Sequence, residues 1–309
     1  MEYYDGIKTS VSYQIVSQIK YIRTMKQAIL ITAYKDLDFL EKIVNFFDDD
    51  FSFFIHIDKK CKENTTGLSQ LKNVYLFSKY HIEWGGSNHL MAILLLMREA
   101  YRRNEYANFH LITGSDFPVK PLYAFKKFFE EHQNENFMEY FPLPRESWGE
   151  DGGLKRIRYY WFGLNRVDVR GRFWELIRLS LRIQKKLKIN RKFRYFDGKL
   201  WAGGTYWSLS QKAIETFIRF VDENPGYIRQ FRCTSIGEEI FLQTALLNLN
   251  VPVINNYLRY IDWGEDGANP VTLTEKDYDR IMSSDCFFAR KFDKIKSAKL
   301  INKIKSAGL

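Results

Sequence analysis

A chain of 309 residues, 45% hydrophobic and 27% charged, has the composition of a globular protein with a substantial core, in one large α/β domain or two smaller ones. Its three cysteines, Cys61, Cys233 and Cys286, show no CxxC spacing, which argues against a disulfide framework or a zinc site and fits a reducing cytosol. A net charge of +10 calls for an anionic partner: nucleotide phosphate, nucleic acid or an anionic membrane surface.

Met1 to Met25 mixes Tyr, Ser, Lys and Asp without the apolar run of a signal peptide, and no stretch approaches the roughly 18 apolar residues of a spanning helix. The expectation is a cytoplasmic protein. Gln27 to Ala33 reads as a first strand, and the spacing of Leu37, Leu40, Ile43 and Phe46 predicts a helix between Asp36 and Phe47. Phe51 to Asp58 and Val74 to Phe77 read as strands, Ser87 to Arg103 as a strong helix, and Phe109 to Thr113 as a fourth strand ending at Gly114-Ser115-Asp116-Phe117-Pro118. Strands alternating with helices imply a mostly parallel sheet with its ligand at the carboxyl ends of the strands, so the polar residues after each strand, Asp58 and Asp116 among them, are the ones to watch.

Between Val169 and Tyr195 lie ten basic residues, including Arg170, Arg178, Arg182 and Lys186, interleaved with Trp174, Ile177, Leu179 and Ile183. This is either a basic amphipathic helix at a membrane surface or a solvated helix packed on the domain. The tail from Lys291 to Leu309 repeats the pattern with Leu300, Ile301 and Ile304. In between, Gly203 to Leu209 is strand-like, Gln211 to Val221 and Glu238 to Asn248 are helical, Asn256 to Ile261 forms a last strand, and Thr274 caps a closing helix to Met282. The organisation expected is an N-terminal extension (1–24), one domain (25–293) carrying a basic insertion (168–198), and a basic tail (294–309).

Glu238 and Glu239, at a predicted helix start, either favour the helix dipole or supply a general base, and two adjacent carboxylates cannot both point the same way. Lys291 and Arg290, fixed between Phe288 and Phe292, could neutralise a departing diphosphate or be solvated charges. The Asp-x-Asp spacing in Asp48-Asp49-Asp50 falls in a helix-to-strand turn, before a strand instead of after one, and reads as a solvated turn. A single carboxylate, Asp116, after the fourth strand is fewer than a divalent ion usually wants, so no metal is expected. His56 and His110 alternate with apolar strand residues and read as buried structural groups. There is no Walker or GxGxxG loop and no nucleophile elbow, which removes support for hydrolase and dehydrogenase readings. The aromatic content of 17% suits a large core or a carbohydrate site.

Five segments together resemble the core-2/I-branching glycosyltransferase family (glycosyltransferase family 14), which includes the protein xylosyltransferases. Ile55-His56-Ile57-Asp58-Lys59-Lys60 is similar to its "IHVDRK", Leu111 to Pro118 to "L-x-x-G-x-D-F-P", and Gly203 to Ser210 to its "GSxxF" strand. Gly237-Glu238-Glu239 resembles "PDE", and Phe288 to Asp293 resembles "FA(R/N)KFD". In register from Gln27 to Asp293, they are specific as a set. The resemblance implies a GT-A fold, an inverting and metal-independent transfer from a UDP-sugar, Glu239 as base and Lys291 at the diphosphate. It also places Asp58 at the nucleoside, and Glu139 and Trp263, with Asp116 and Glu238, at the sugar and acceptor. Three departures stand out. The family's second diphosphate arginine falls near Ala268, with Arg290 as the substitute; the "PDE" proline is Gly237; a family cysteine is Thr113.

The implied protein is a bacterial cytoplasmic enzyme of surface-polysaccharide or lipopolysaccharide assembly, peripheral on the inner membrane face, with UDP-N-acetylglucosamine as first donor and UDP-xylose or a glucuronic acid donor as alternatives. Two rivals stay open: a nucleic-acid-binding protein, on charge and aromatics, and a catalytically silent glycan-binding module.

Overall fold

The computed structural model describes residues 26–307 apart from 150, 170, 266 and 268, so the expected N-terminal extension, Arg170 and Ala268 lie outside the described residues. Eleven strands are described: β1 (Gln27–Ala33), β2 (Phe51–Ile57), β3 (Val74–Phe77), β4 (Asn108–Thr113), β5 (Asp116–Pro118), β6 (Phe137–Met138), β7 (Phe141–Pro142), β8 (Trp201–Ala202), β9 (Trp207–Ser210), β10 (Arg259–Ile261) and β11 (Phe288–Arg290). The helices of eight or more residues are α1 (Leu37–Val44), α2 (Ser87–Tyr101), α3 (Leu122–Glu131), α4 (Trp174–Lys186), α5 (Gln211–Glu223), α6 (Phe241–Asn248) and α7 (Ala298–Ser306).

The main sheet has six strands in the order β3-β2-β1-β4-β9-β6. The first four are parallel, and β9 runs antiparallel to both β4 and β6. Every residue of β1 and β2 is buried, as expected of central parallel strands covered on both faces. The two-residue period divides them: Ala28, Leu30 and Phe54 enter a core with α2, α5 and α6, while Ile29, Ile31, Phe53 and Ile55 enter a second core with α1, α3 and α7. The protein is thus an α/β fold with a mostly parallel six-stranded sheet flanked by helices, as the alternating pattern predicted.

A smaller sheet, β10-β11-β5, sits beside the carboxyl end of β4. Arg259, on β10 and 3% exposed, joins it to the main sheet by donating to the carbonyls of Leu111 and Trp207 and to Ser208 Oγ. Burial lowers its guanidinium to about 10.

Several predicted boundaries move. The strand expected from Gly203 begins at Trp207, because Gly203 and Gly204 cross over Glu139 before the ladder starts. The helix expected from Glu238 begins at Phe241, and Gly237–Glu239 is a single tight turn before it. The strand ending at Ile261 is not the last, since Phe288–Arg290 pairs with Asp116–Pro118. Thr274 caps as predicted, forming a reciprocal capping box with Asp277. The C-terminal segment is helix α7, whose Leu300, Ile301 and Ile304 are buried in the second core.

The expected turn at Asp48-Asp49-Asp50 is a turn, and Asp48 and Asp50 both hold Lys126 of α3. It lies at the amino end of β2, away from the carboxyl edge of the sheet. His110 is fully buried, with Nδ1 on Ser208 Oγ at 2.9 Å and Nε2 on Gln27 Oε1 at 2.8 Å. His56, also fully buried, accepts the Tyr80 N–H on Nε2 at 3.0 Å. Both are structural, as read from their apolar neighbours.

Candidate active site

Strands β1, β2 and β4 end together, so the segments that leave them meet at a common edge. After β2, Asp58 is 3% exposed and accepts the Lys60 and Ile82 N–H groups on Oδ1, at 2.9 and 3.3 Å. At the end of β1, Thr32 Oγ1 contacts His89 Nε2 at 3.1 Å, and His89 Nδ1 contacts Glu238 Oε1 at 3.1 Å. Glu238 is 6% exposed, and among the described residues its other oxygen has no hydrogen-bond partner.

Glu239 comes next on the same turn, and the pair diverges as adjacent carboxylates must. Ile236, just before the turn, holds φ at 52°, a left-handed conformation that a β-branched residue rarely adopts, with its N–H on the Gly85 carbonyl at 2.7 Å. Glu239 Oε2 accepts from Arg156 at 2.6 Å, and the Glu239 carbonyl accepts the Gly203 N–H at 3.0 Å. The carboxyl is raised to about 7: burial dominates, the charges of Glu238 and Glu139 add to it, and Arg156 opposes it.

Gly203 and Gly204 let the chain cross tightly over Glu139. A Cβ on Gly203 would lie 1.9 Å from the Glu139 carbonyl oxygen, so only glycine passes there. Gly204 donates its N–H to Glu139 Oε2 at 2.8 Å, and Tyr257 packs over Gly204. Tyr257 neighbours Trp263, which is 46% exposed, and sits 6.4 Å centroid to centroid from Tyr206. The Tyr206 ring lies 4.7 Å from the Arg290 guanidinium. A line of contacts therefore runs Arg156, Glu239, Gly203, Glu139, Gly204, Tyr257, Tyr206, Arg290, with Lys291 next in the chain.

The two cations at its far end differ. Arg290 is 15% exposed, faces Asp116 Oδ1 at 3.5 Å and lies against Tyr206. Asp116 is fully buried, with Oδ2 accepting the Thr113 N–H and hydroxyl at 2.5 and 3.1 Å. Burial raises its carboxyl, and Arg290 opposes the shift. Asp116 thus faces Arg290 across an ion-pair distance with no hydrogen bond between Oδ1 and Nε. Lys291 is half-buried, with its backbone fixed between Val271 and Leu273. Among the described residues no carboxylate pairs with its ammonium.

Compared with known proteins, residues 28–285 match the Core-2/I-branching enzyme family. The chain belongs to that family. Family membership makes it a glycosyltransferase-family protein related to the xylosyltransferases. It is similar to mouse xylosyltransferase 1, 24% identical over 301 residues covering 89% of this chain and 29% of that protein. Xylosyltransferase sqv-6 of Caenorhabditis briggsae is 22% identical over 274 residues, 78% of this chain and 31% of the relative. The chain spans less than a third of the length of these curated relatives.

Within this Core-2/I-branching chain, sequence reasoning missed Arg156, His89, Tyr206 and Tyr257. Nothing marks Arg156 among 47 basic residues, because its pairing with Glu239 spans 83 positions. His89 on the polar side of α2 carried no strand context like that of His56. The two tyrosines were one signal within a high aromatic content that the core also explains. The residue the family carries near Ala268 lies outside the described residues.

Proposed function

We propose that this chain is an inverting glycosyltransferase of GT-A type, with residues 25–293 as the transferase domain and 168–198 as a basic insertion. It moves a sugar from a UDP-sugar to a glycan or glycolipid acceptor in surface-polysaccharide assembly. N-acetylglucosamine is the first donor to test, and UDP-xylose the second, since the mouse and nematode relatives are xylosyltransferases. The observation that carries the reading is Glu239: a half-buried carboxyl raised to about 7, at the carboxyl edge of a parallel sheet, with Glu238 and Glu139 as its acidic neighbours and Arg156 as its cation.

In the reaction, Glu239 takes the proton of an acceptor hydroxyl as its oxygen bonds to the anomeric carbon. The bond from that carbon to the diphosphate oxygen breaks on the opposite face, so configuration inverts. Glu139 and Trp263 suit the sugars, a carboxylate for hydroxyls and a ring for a C–H face. Asp58 suits the nucleoside, and Glu238, oriented by His89, closes the sugar side. Lys291 meets the charge that develops on the departing diphosphate. An ammonium in place of a divalent ion agrees with a lone carboxylate after β4, Asp116, one of whose oxygens already accepts from Thr113.

Glu239→Gln is expected to lower kcat by about 10²–10⁴ while leaving the thermal stabilisation by UDP in EDTA unchanged. A glycan-binding protein without activity would show no turnover to lose, and unaltered turnover in the variant would remove Glu239 from the chemistry.

A further inference from the structure

Helix α4 shows two distinct faces. One, carrying Ile177 and Gln184, each 4% exposed, packs on the domain. The other is a strip of Leu176, Leu179, Ile183 and Leu187, exposed by 62, 50, 49 and 66%. At 100° per residue these four fall within about 80° of arc, with Arg182 and Lys186, and Glu175 between them, along one border. Between residues 172 and 188 there are six basic residues and one acidic, 6 − 1 = +5.

We propose that this face of α4 seats the protein on an anionic lipid bilayer. A soluble protein gains nothing by holding four large aliphatic side chains in water, and a strip bordered by cations matches the boundary between acyl chains and anionic headgroups. A nucleic-acid backbone would engage the cations and leave the strip in water. A second copy in a two-fold interface would set +5 against +5. Charge complementarity therefore selects the anionic membrane.

The helix is also tied to the candidate site. The Tyr160 N–H donates to Gln184 Oε1 and Gln184 Nε2 donates to the Tyr160 carbonyl, each at 2.8 Å. Four residues before Tyr160, Arg156 reaches Glu239. One short segment thus holds the docking helix at one end and the Glu239 carboxylate at the other, a geometry suited to an acceptor presented from a lipid. The docking does not depend on the transferase reading, and binding tests it without turnover.

The experiment is co-sedimentation of the full chain with vesicles of phosphatidylcholine alone or mixed with phosphatidylglycerol, at two salt concentrations. Binding is expected to be at least about tenfold tighter to the anionic vesicles and weaker at higher salt. L179E/I183E and, separately, R182Q/K186Q should each reduce it about tenfold or more. All four side chains are largely in water, so thermal midpoint and UDP response should match the parent. Equal partitioning into neutral and anionic vesicles, or binding unchanged in both variants, would overturn the proposal. So would a parent dimer in sedimentation velocity that L179E/I183E dissolves, which assigns the strip to a second copy. Tighter retention on RNA than on anionic vesicles at matched salt would also overturn it.

Discussion

Burial and Arg156 pull the Glu239 proton in opposite directions, and the balance is a group near 7 instead of an ordinary carboxylic acid. A general base must be ionised, so kcat/KM should fall as pH drops through about 7. Arg156→Gln removes the cation that favours ionisation, and the acid limb of the pH profile should then move to higher pH. A limb that stays in place would show that Arg156 does not set this balance. Lys291→Met tests the other end of the site: loss of the ammonium should weaken the UDP-induced thermal shift and lower kcat/KM by about tenfold or more. A parallel Arg290→Met comparison separates the two cations. Arg290 is the charge facing the fully buried Asp116, so its loss should appear chiefly in stability, because it leaves that carboxyl without its cation.

At the scale of elements, α7 shows how a basic pattern can mislead. Its lysines are the solvent face of a helix whose Leu300 and Ile304 are fully buried. Leu300→Ala should cost about 2–5 kcal/mol, read from urea unfolding, and the same substitution at exposed Ile295 should cost little. Helix α4 has the same amphipathic composition and the opposite outcome, since its strip finds no core. The difference lies in neighbours: α7 faces residues of the second core, whereas α4 is held by Ile177 and by the Gln184 clamp on Tyr160. The turn at Gly237–Glu239 is a further case. A helix start was legible there, but the left-handed Ile236 that sends the two carboxylates apart was not, because no propensity selects it.

Across the whole molecule, acid should destabilise the fold through histidine. Burial lowers His56 to about 4 and holds His110 well below 6.5, so the unfolded chain binds more protons and stability is lost progressively below about pH 6.5. Glu239 works the other way, since its raised carboxyl keeps a proton in the folded state between 4.5 and about 7, and stability contributed there grows as pH falls. The two histidines, joined at lower pH by the lowered carboxyls of Glu83, Asp277 and Asp293, stand against the raised Glu239 and Asp116 and predict a net loss, measurable as a falling urea midpoint. In Glu239→Gln the loss should be steeper because one opposing group is gone.

The order of strands and helices, the buried histidines and the Asp-rich turn could be read from local pattern, since period and turn chemistry act over a few residues. So could the family, through segments that keep their order along the chain. Pairing across long separations could not. Arg156 on Glu239, His89 on Glu238, Arg290 on Asp116 and the choice of which amphipathic helix finds a core depend on where distant segments meet in space. Only the tertiary structure decides that, because a charge or an apolar stripe does not specify which distant surface will face it.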